Sequence, residues 1–177
     1  MNQATTTQMQ IPPEVVKYLA GSSQESRQFD FLLGNWSVAG SAFKPDGSLL
    51  RQYSANWDAH QLNDGRMIMD DFKIMAPSGQ FVSSFVTLRT WCESTMRWEI
   101  TGLSAFQPSM NAQWYGNKVN EEMHLIAIGK DPAGIEVQTR IRFFDIEPSS
   151  FCWESHMSRD GGITWNKSAE LRATRKS

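Results

Sequence analysis

Apolar and polar residues alternate with a period of two through most of this chain, the pattern of strands that bury one face. In 135–146, Ile135, Val137, Thr139, Ile141 and Phe143 oppose Glu136, Gln138, Arg140 and Arg142. In 80–91, Phe81, Ser83, Phe85, Thr87, Arg89 and Trp91 share one face, while Val82, Ser84, Val86 and Leu88 make the other. Apolar residues on both faces of that segment predict that something covers its outer side. From Asn35 onward the alternation predicts strands over 35–43, 49–58, 66–76, 80–91, 97–105, 112–119, 121–129, 135–146, 150–158 and 163–174.

The segments between them carry turn chemistry. Pro45-Asp46-Gly47, Asn63-Asp64-Gly65, Pro77-Ser78-Gly79 and Asp160-Gly161-Gly162 supply the residues that reach positive φ, and Asp131-Pro132-Ala133-Gly134 and Glu147-Pro148-Ser149 do so less sharply. Hairpins throughout predict an all-β, up-and-down antiparallel architecture of about ten strands. Closure into a barrel is expected because it removes exposed strand edges. The N-terminal part differs. Residues 1–11 are polar and are expected to be a disordered tail. Pro12-Pro13 before Glu14–Ala20, with Gly21 after, predicts a short helix. A second is expected from about Ser23 to Leu33, with Phe29, Leu32 and Leu33 on one face. The expected division is therefore 1–11 tail, 12–34 helical segment and 35–175 barrel, with the helical segment expected to plug or flank the barrel and its helices as candidate cover.

Charge and composition narrow the function classes. With 17 basic and 19 acidic residues the net charge is −2, and no Lys/Arg-rich run occurs, so nucleic acid and anionic lipid are not expected partners. Two cysteines, Cys92 and Cys152, make neither a disulfide framework nor a metal site. No basic and apolar leader opens the chain and no apolar run approaches the roughly 18 residues of a membrane span, so a soluble cytoplasmic protein is expected. Seven Trp, ten Phe and nine Met point to a large apolar interior.

Phe29-Asp30-Phe31-Leu32-Leu33-Gly34-Asn35-Trp36 and Ser158-Arg159-Asp160-Gly161-Gly162-Ile163-Thr164-Trp165 stand at opposite ends of the strand-rich region. With these segments the chain resembles the calycins, the superfamily of lipocalins and fatty-acid-binding proteins. It is most similar to uncharacterised bacterial lipocalin-like proteins that carry both segments. The resemblance implies a closed barrel in which a basic residue of the last strand, Arg172 or Arg175, packs across the indole of Trp36. It implies nothing about the ligand. A related calycin group, the nitrobindin-like proteins, holds haem through a late histidine. Of His60, His124 and His156, only His156 lies in a late strand, and it faces outward if Trp153 faces inward. No cofactor is otherwise indicated, and no metal spacing, nucleophile elbow or phosphate loop occurs.

The carboxylates carry the remaining chemistry. Met67-Ile68-Met69-Asp70-Asp71-Phe72 sets two acids in an apolar strand, and one of them must face inward. An acid in such surroundings needs a partner or a raised pKa. Arg89 is the leading candidate partner, with Glu99, Arg140 and Arg142 as further polar groups. A cross-strand ion pair is one reading. A general acid or base in a cofactor-independent cyclase or isomerase is the other, with Asp71, Asp70 or His156 as its catalytic group. Tyr53, Trp57, Met69, Phe85, Arg89, Trp98, Trp114 and Trp153 are the expected ligand-binding set, joined by Tyr115 as a candidate wall. The segment 106–116 is either a lid or a plain connector. The expected function is binding of a small, largely apolar organic molecule inside the barrel. The alternatives are the enzyme and a filled scaffold that self-associates as a homodimer.

Overall fold

Each strand pairs antiparallel with the next and the last returns to the first, closing one ten-stranded barrel. The strands are β1 (Gly34–Phe43), β2 (Leu49–Leu62), β3 (Met67–Met75), β4 (Phe81–Cys92), β5 (Arg97–Ser104), β6 (Asn111–Val119), β7 (Glu122–Lys130), β8 (Glu136–Glu147), β9 (Ser150–Ser158) and β10 (Asn166–Arg175). The computed structural model describes residues 11–105, 111–130 and 134–177. The segment 106–110, the first part of the candidate lid, lies outside the described residues, as does the N-terminal stretch 1–10; 111–116 belongs to β6. No described helix is long and apolar enough to cross a membrane.

The alternation read from the sequence sorts the faces. Val38, Trp57, Ile68, Ile100, Leu125, Phe143 and Phe151 are buried inside, and their neighbours in sequence point outward. Two strand limits depart from the expected ones by more than one residue. The second strand runs on to Leu62, because Asn63, Asp64 and Gly65 all take positive φ and turn the chain only there. The last begins at Asn166, because the Asp160 carboxylate organises the preceding residues as a loop. It accepts from Ile163 N at 3.1 Å, Thr164 N at 2.9 Å, Thr164 Oγ1 at 2.5 Å and Ser158 Oγ at 2.7 Å.

The N-terminal segment closes one end. A short helix, α1 (Pro13–Leu19), is followed by two 3₁₀ turns, Glu25–Arg27 and Asp30–Leu32, in place of the expected second α-helix. Phe29 and Leu32 are three apart, the repeat of a 3₁₀ turn, and both are fully buried in the mouth of the barrel. Phe29 meets Trp98 edge-on at 4.9 Å and Phe143 at 5.6 Å. The Trp36 indole donates to Leu32 O at 2.7 Å and packs on Phe151. The expectation that helices cover the outer side of β4 is corrected. Helix α1 has no buried residue and sits at the closed end, where Lys17 pairs with Glu93 and Arg66 stacks on Tyr18 at 3.8 Å. Val82 and Leu88 therefore stay 43% and 39% exposed.

Arg175, and not Arg172, lies across Trp36, with its guanidinium 4.1 Å from the ring centroid. Arg175 also donates to Pro148 O at 2.9 Å and Leu33 O at 2.8 Å, tying the last strand to the plug. Strand register fixes the choice, since Trp36 pairs with Arg175 while Arg172 pairs with Ala39 three residues away. Arg172 is on the outer face and donates to Ser150 Oγ at 3.1 Å. Gly34 is required here: its φ is +112° and the Arg175 guanidinium occupies the space a side chain would fill.

Candidate functional site: a cavity above a buried ion pair

Above the plug, on the side of the open end, the barrel encloses a cavity of about 230 Å³. Its walls are Tyr53 and Trp57 of β2, Phe72 of β3, Phe85 of β4, Trp114 of β6 and Trp153 of β9, with aliphatic residues between them. These rings support one another edge-on: Trp57 on Phe72 at 5.2 Å, Phe85 on Trp114 at 5.7 Å. Two glycines make room for them. The Tyr53 ring lies over Gly40, and the Phe85 and Trp114 rings close over Gly102, where a Cβ would collide with both. Burial pushes the Tyr53 phenol above its ordinary value, so it stays protonated at neutral pH.

Asp70, Thr87 and Arg89 form the polar side of the cavity. Asp70 is 1% exposed and Arg89 4%. Asp70 faces Thr87 directly across the β3–β4 ladder, and Arg89 is two residues farther along β4 on the same face. The diagonal distance suits a long side chain, roughly 7–8 Å between backbones. Arg89 Nε donates to Asp70 Oδ2 at 2.7 Å, Thr87 Oγ1 donates to the same oxygen, and Trp57 Nε1 donates to Oδ1 at 2.9 Å. Arg89 Nη2 donates to Thr87 Oγ1 at 3.1 Å. The guanidinium lies 4.9 Å over the Phe29 ring, so the plug holds the ion pair from below. A carboxylate offers about four acceptor positions. Three are occupied here, which makes Asp70 a fixed counter-ion.

The sequence left open which acid faces inward, and the geometry answers Asp70. Asp71 is on the outer face, paired to Lys73 Nζ at 2.5 Å and accepting from Ser84 Oγ at 3.2 Å. Its candidacy as an interior acid is corrected, since Asp70 is the buried one and the next residue must point the other way. Met69 shares that outer face, beside Leu88, and does not line the cavity. Trp98 points inward but below the cavity, where it donates to Gln28 Oε1 at 3.1 Å and packs on Phe29. Tyr115 is outside, under Arg97. Tyr53, Trp57, Phe85, Arg89, Trp114 and Trp153 do line the cavity.

Trp153 faces inward, so His156 faces outward, level with Arg140 and Lys167 of the neighbouring strands. Burial among those strands pushes its imidazole below the ordinary histidine value, against the pull of Glu154. It is not positioned to exchange protons with anything in the barrel. No histidine lines the cavity, so the lining does not fit a haem held through an axial imidazole. Among the described residues no group of three His, Cys, Asp or Glu is arranged to hold a metal ion. Thr87, like Ser83, is a polar cavity residue that sequence reasoning passed over. Its signal was its place between Phe85 and Arg89 on one face of β4.

One further irregularity adjoins the site. Among the described residues the β6–β7 ladder ends at Tyr115–Ile126, and beyond it β6 pairs with β5 and β7 with β8. The indole nitrogen of Trp114 is buried and has no hydrogen-bond partner among the described residues.

A closed up-and-down barrel with a plugged end and an apolar interior is a lipocalin-like fold. Solved structures share it. Rv2717c from M. tuberculosis matches with a TM-score of 0.63 at 13% identity, over 88% of this chain and 99% of its own. The S-type phycobiliprotein lyase CPES from Guillardia theta matches with a TM-score of 0.56 at 12% identity, over 88% and 98%. These likenesses extend to the fold alone. No family model matches the chain, and no curated protein matches it significantly.

Proposed function

We propose that this protein binds a small, largely apolar organic molecule in the barrel cavity, with the Asp70–Arg89 pair beneath its polar end. The observation that carries the reading is an aromatic-walled space of about 230 Å³ left unfilled above a buried, hydrogen-bonded ion pair. Interiors otherwise pack closely, and few voids exceed a water molecule. An apolar cavity of ~150 Å³ accommodates a benzene ring, so this one suits a molecule of one or two rings. That a phycobiliprotein lyase uses the same fold agrees with the reading, at an identity that speaks for architecture only.

Proton-transfer catalysis by Asp70 has weaker support. A general base needs a free lone pair directed at its substrate, and Asp70 already accepts from Trp57, Thr87 and Arg89. The test is a titration of the protein with tetralin, followed by tryptophan fluorescence. A saturable change is expected, and Ser83→Trp, which fills the cavity from β4, should abolish it while the far-ultraviolet circular dichroism is kept. A linear, unsaturable response of the wild-type protein would refute binding.

A further inference from the structure

The lining of the cavity is banded along its strands. From the open end toward the floor, the inward residues of β4 run Ser83, Phe85, Thr87, and those of β2 run Tyr53, Ala55, Trp57. On β3, Ile74 and Phe72 stand above Asp70. Hydroxyls therefore occupy the mouth, and rings and aliphatic groups the waist. The ion pair, with Thr87 and the Trp57 N–H, makes the floor. Ser83 and Thr87 are four residues apart, as are Tyr53 and Trp57, roughly 13 Å along a strand. One polar substituent cannot touch both bands.

The mouth hydroxyls differ from the polar groups of the floor. Asp70, Thr87 and Arg89 are buried and hydrogen-bonded to one another. Tyr53 and Ser83 are half-buried. Among the described residues neither Tyr53 Oη nor Ser83 Oγ has a hydrogen-bond partner, and both keep accessible surface. The Tyr53 ring is fixed over Gly40 and edge-on to Phe72 at 6.5 Å, so packing sets the place of its oxygen. With the Tyr53 phenol held protonated by burial, both hydroxyls can donate and accept.

Charge selects further. Among the described residues lining the cavity only Asp70 and Arg89 are ionic, and they pair with each other at 2.7 Å. A charged ligand would shed its hydration with no counter-ion left to meet it. From these observations we infer that the ligand is an uncharged ring compound carrying oxygen at both ends, whose outer hydroxyl or carbonyl is bound at the mouth by Tyr53 and Ser83. Its ring body fills the aromatic waist and its inner oxygen lies over the Asp70–Arg89 pair. The inference rests on the binding reading above and specifies the ligand class of the same cavity.

The test is a matched series on one skeleton: naphthalene, 2-naphthol, 2,6-dihydroxynaphthalene and 6-hydroxy-2-naphthoate, each titrated by calorimetry into the full-length protein. The diol is expected to bind about tenfold tighter than 2-naphthol, the value of one well-made hydrogen bond. The carboxylate is expected to bind more weakly than the diol. Tyr53→Phe combined with Ser83→Ala removes both mouth oxygens and keeps the ring, and should bring the diol-to-naphthol ratio toward one. Should the double variant not fold, the two single variants take its place, and at least one is expected to lower the ratio. Equal binding of diol and 2-naphthol by the wild-type protein would overturn the inference and leave the binding reading standing. Tightest binding by the carboxylate, or a diol preference that survives loss of the hydroxyls, would do the same. Failure of all four compounds to bind would overturn both.

Discussion

Asp70 is excluded from water yet accepts hydrogen bonds from three side chains on two neighbouring strands. Taking a charge out of water costs several kcal/mol, and here Arg89, Thr87 and Trp57 together offset it. Removing one partner strands the other. Asp70→Leu is therefore expected to destabilise the protein by about 3–5 kcal/mol, read from urea unfolding. Adding Arg89→Met should recover most of that loss, because no unpaired cation is left. Additive losses in the double variant would contradict the coupling. The sequence showed that Asp70 or Asp71 had to face inward, but alternation alone does not say which. Only register, Asp70 opposite Thr87 and Asp71 opposite Val86, makes the choice.

The turns and the strand-end contacts fix where each element starts and stops. In the loop between β9 and β10, Asp160 accepts hydrogen bonds from Ser158, Ile163 and Thr164, which hold its carboxyl down at about 2 from the usual 3.8. Folding thus disfavours its protonation. Its contribution is complete above the ordinary carboxylate value and is lost as pH falls toward about 2. Asp160→Asn is expected to melt below the wild-type protein at about pH 6, and the two melting curves should converge between about pH 4 and pH 2. A gap that stays constant over that range would contradict the assignment.

At the closed end, Arg175→Met should cost about 1–3 kcal/mol for the lost stacking on Trp36 and the two carbonyl contacts. Arg172→Met should cost under about 0.5 kcal/mol, as surface substitutions do. Chemical denaturation compares them, and equal losses would mean that the plug is not held as described. Strand existence and facing were legible because period-two alternation survives in a barrel with one dry face. The 3₁₀ turns of 25–32 were not, because Phe29 and Leu32 fit an α-helical face as well as a three-residue repeat. Trp98 and Met69 show a second limit. Alternation names the inward face but not the depth along the barrel, so it cannot separate the packed floor around Trp98 from the hollow above it. At Met69 even the face depended on how Asp70 and Asp71 were oriented.

As a whole, the molecule is a barrel filled from one end and hollow toward the other. The N-terminal segment supplies Phe29, Leu32 and Phe31 to the floor, and the same Phe29 ring supports the Arg89 guanidinium that faces the cavity. Plug and site are one structure. Trp114 is the residue best placed to report on the hollow half, since its ring lines the cavity. Trp165 is its natural control, being held outside by Arg140 at 3.6 Å with its N–H on Gly162 O at 2.8 Å. The decisive measurement is the indole region of a ¹⁵N–¹H correlation spectrum during titration with tetralin, with the Trp114 signal assigned by its loss in Trp114→Phe. The account predicts a saturable shift of Trp114 while Trp165 stays in place. A spectrum in which Trp114 does not move, or moves only together with Trp165, would contradict it.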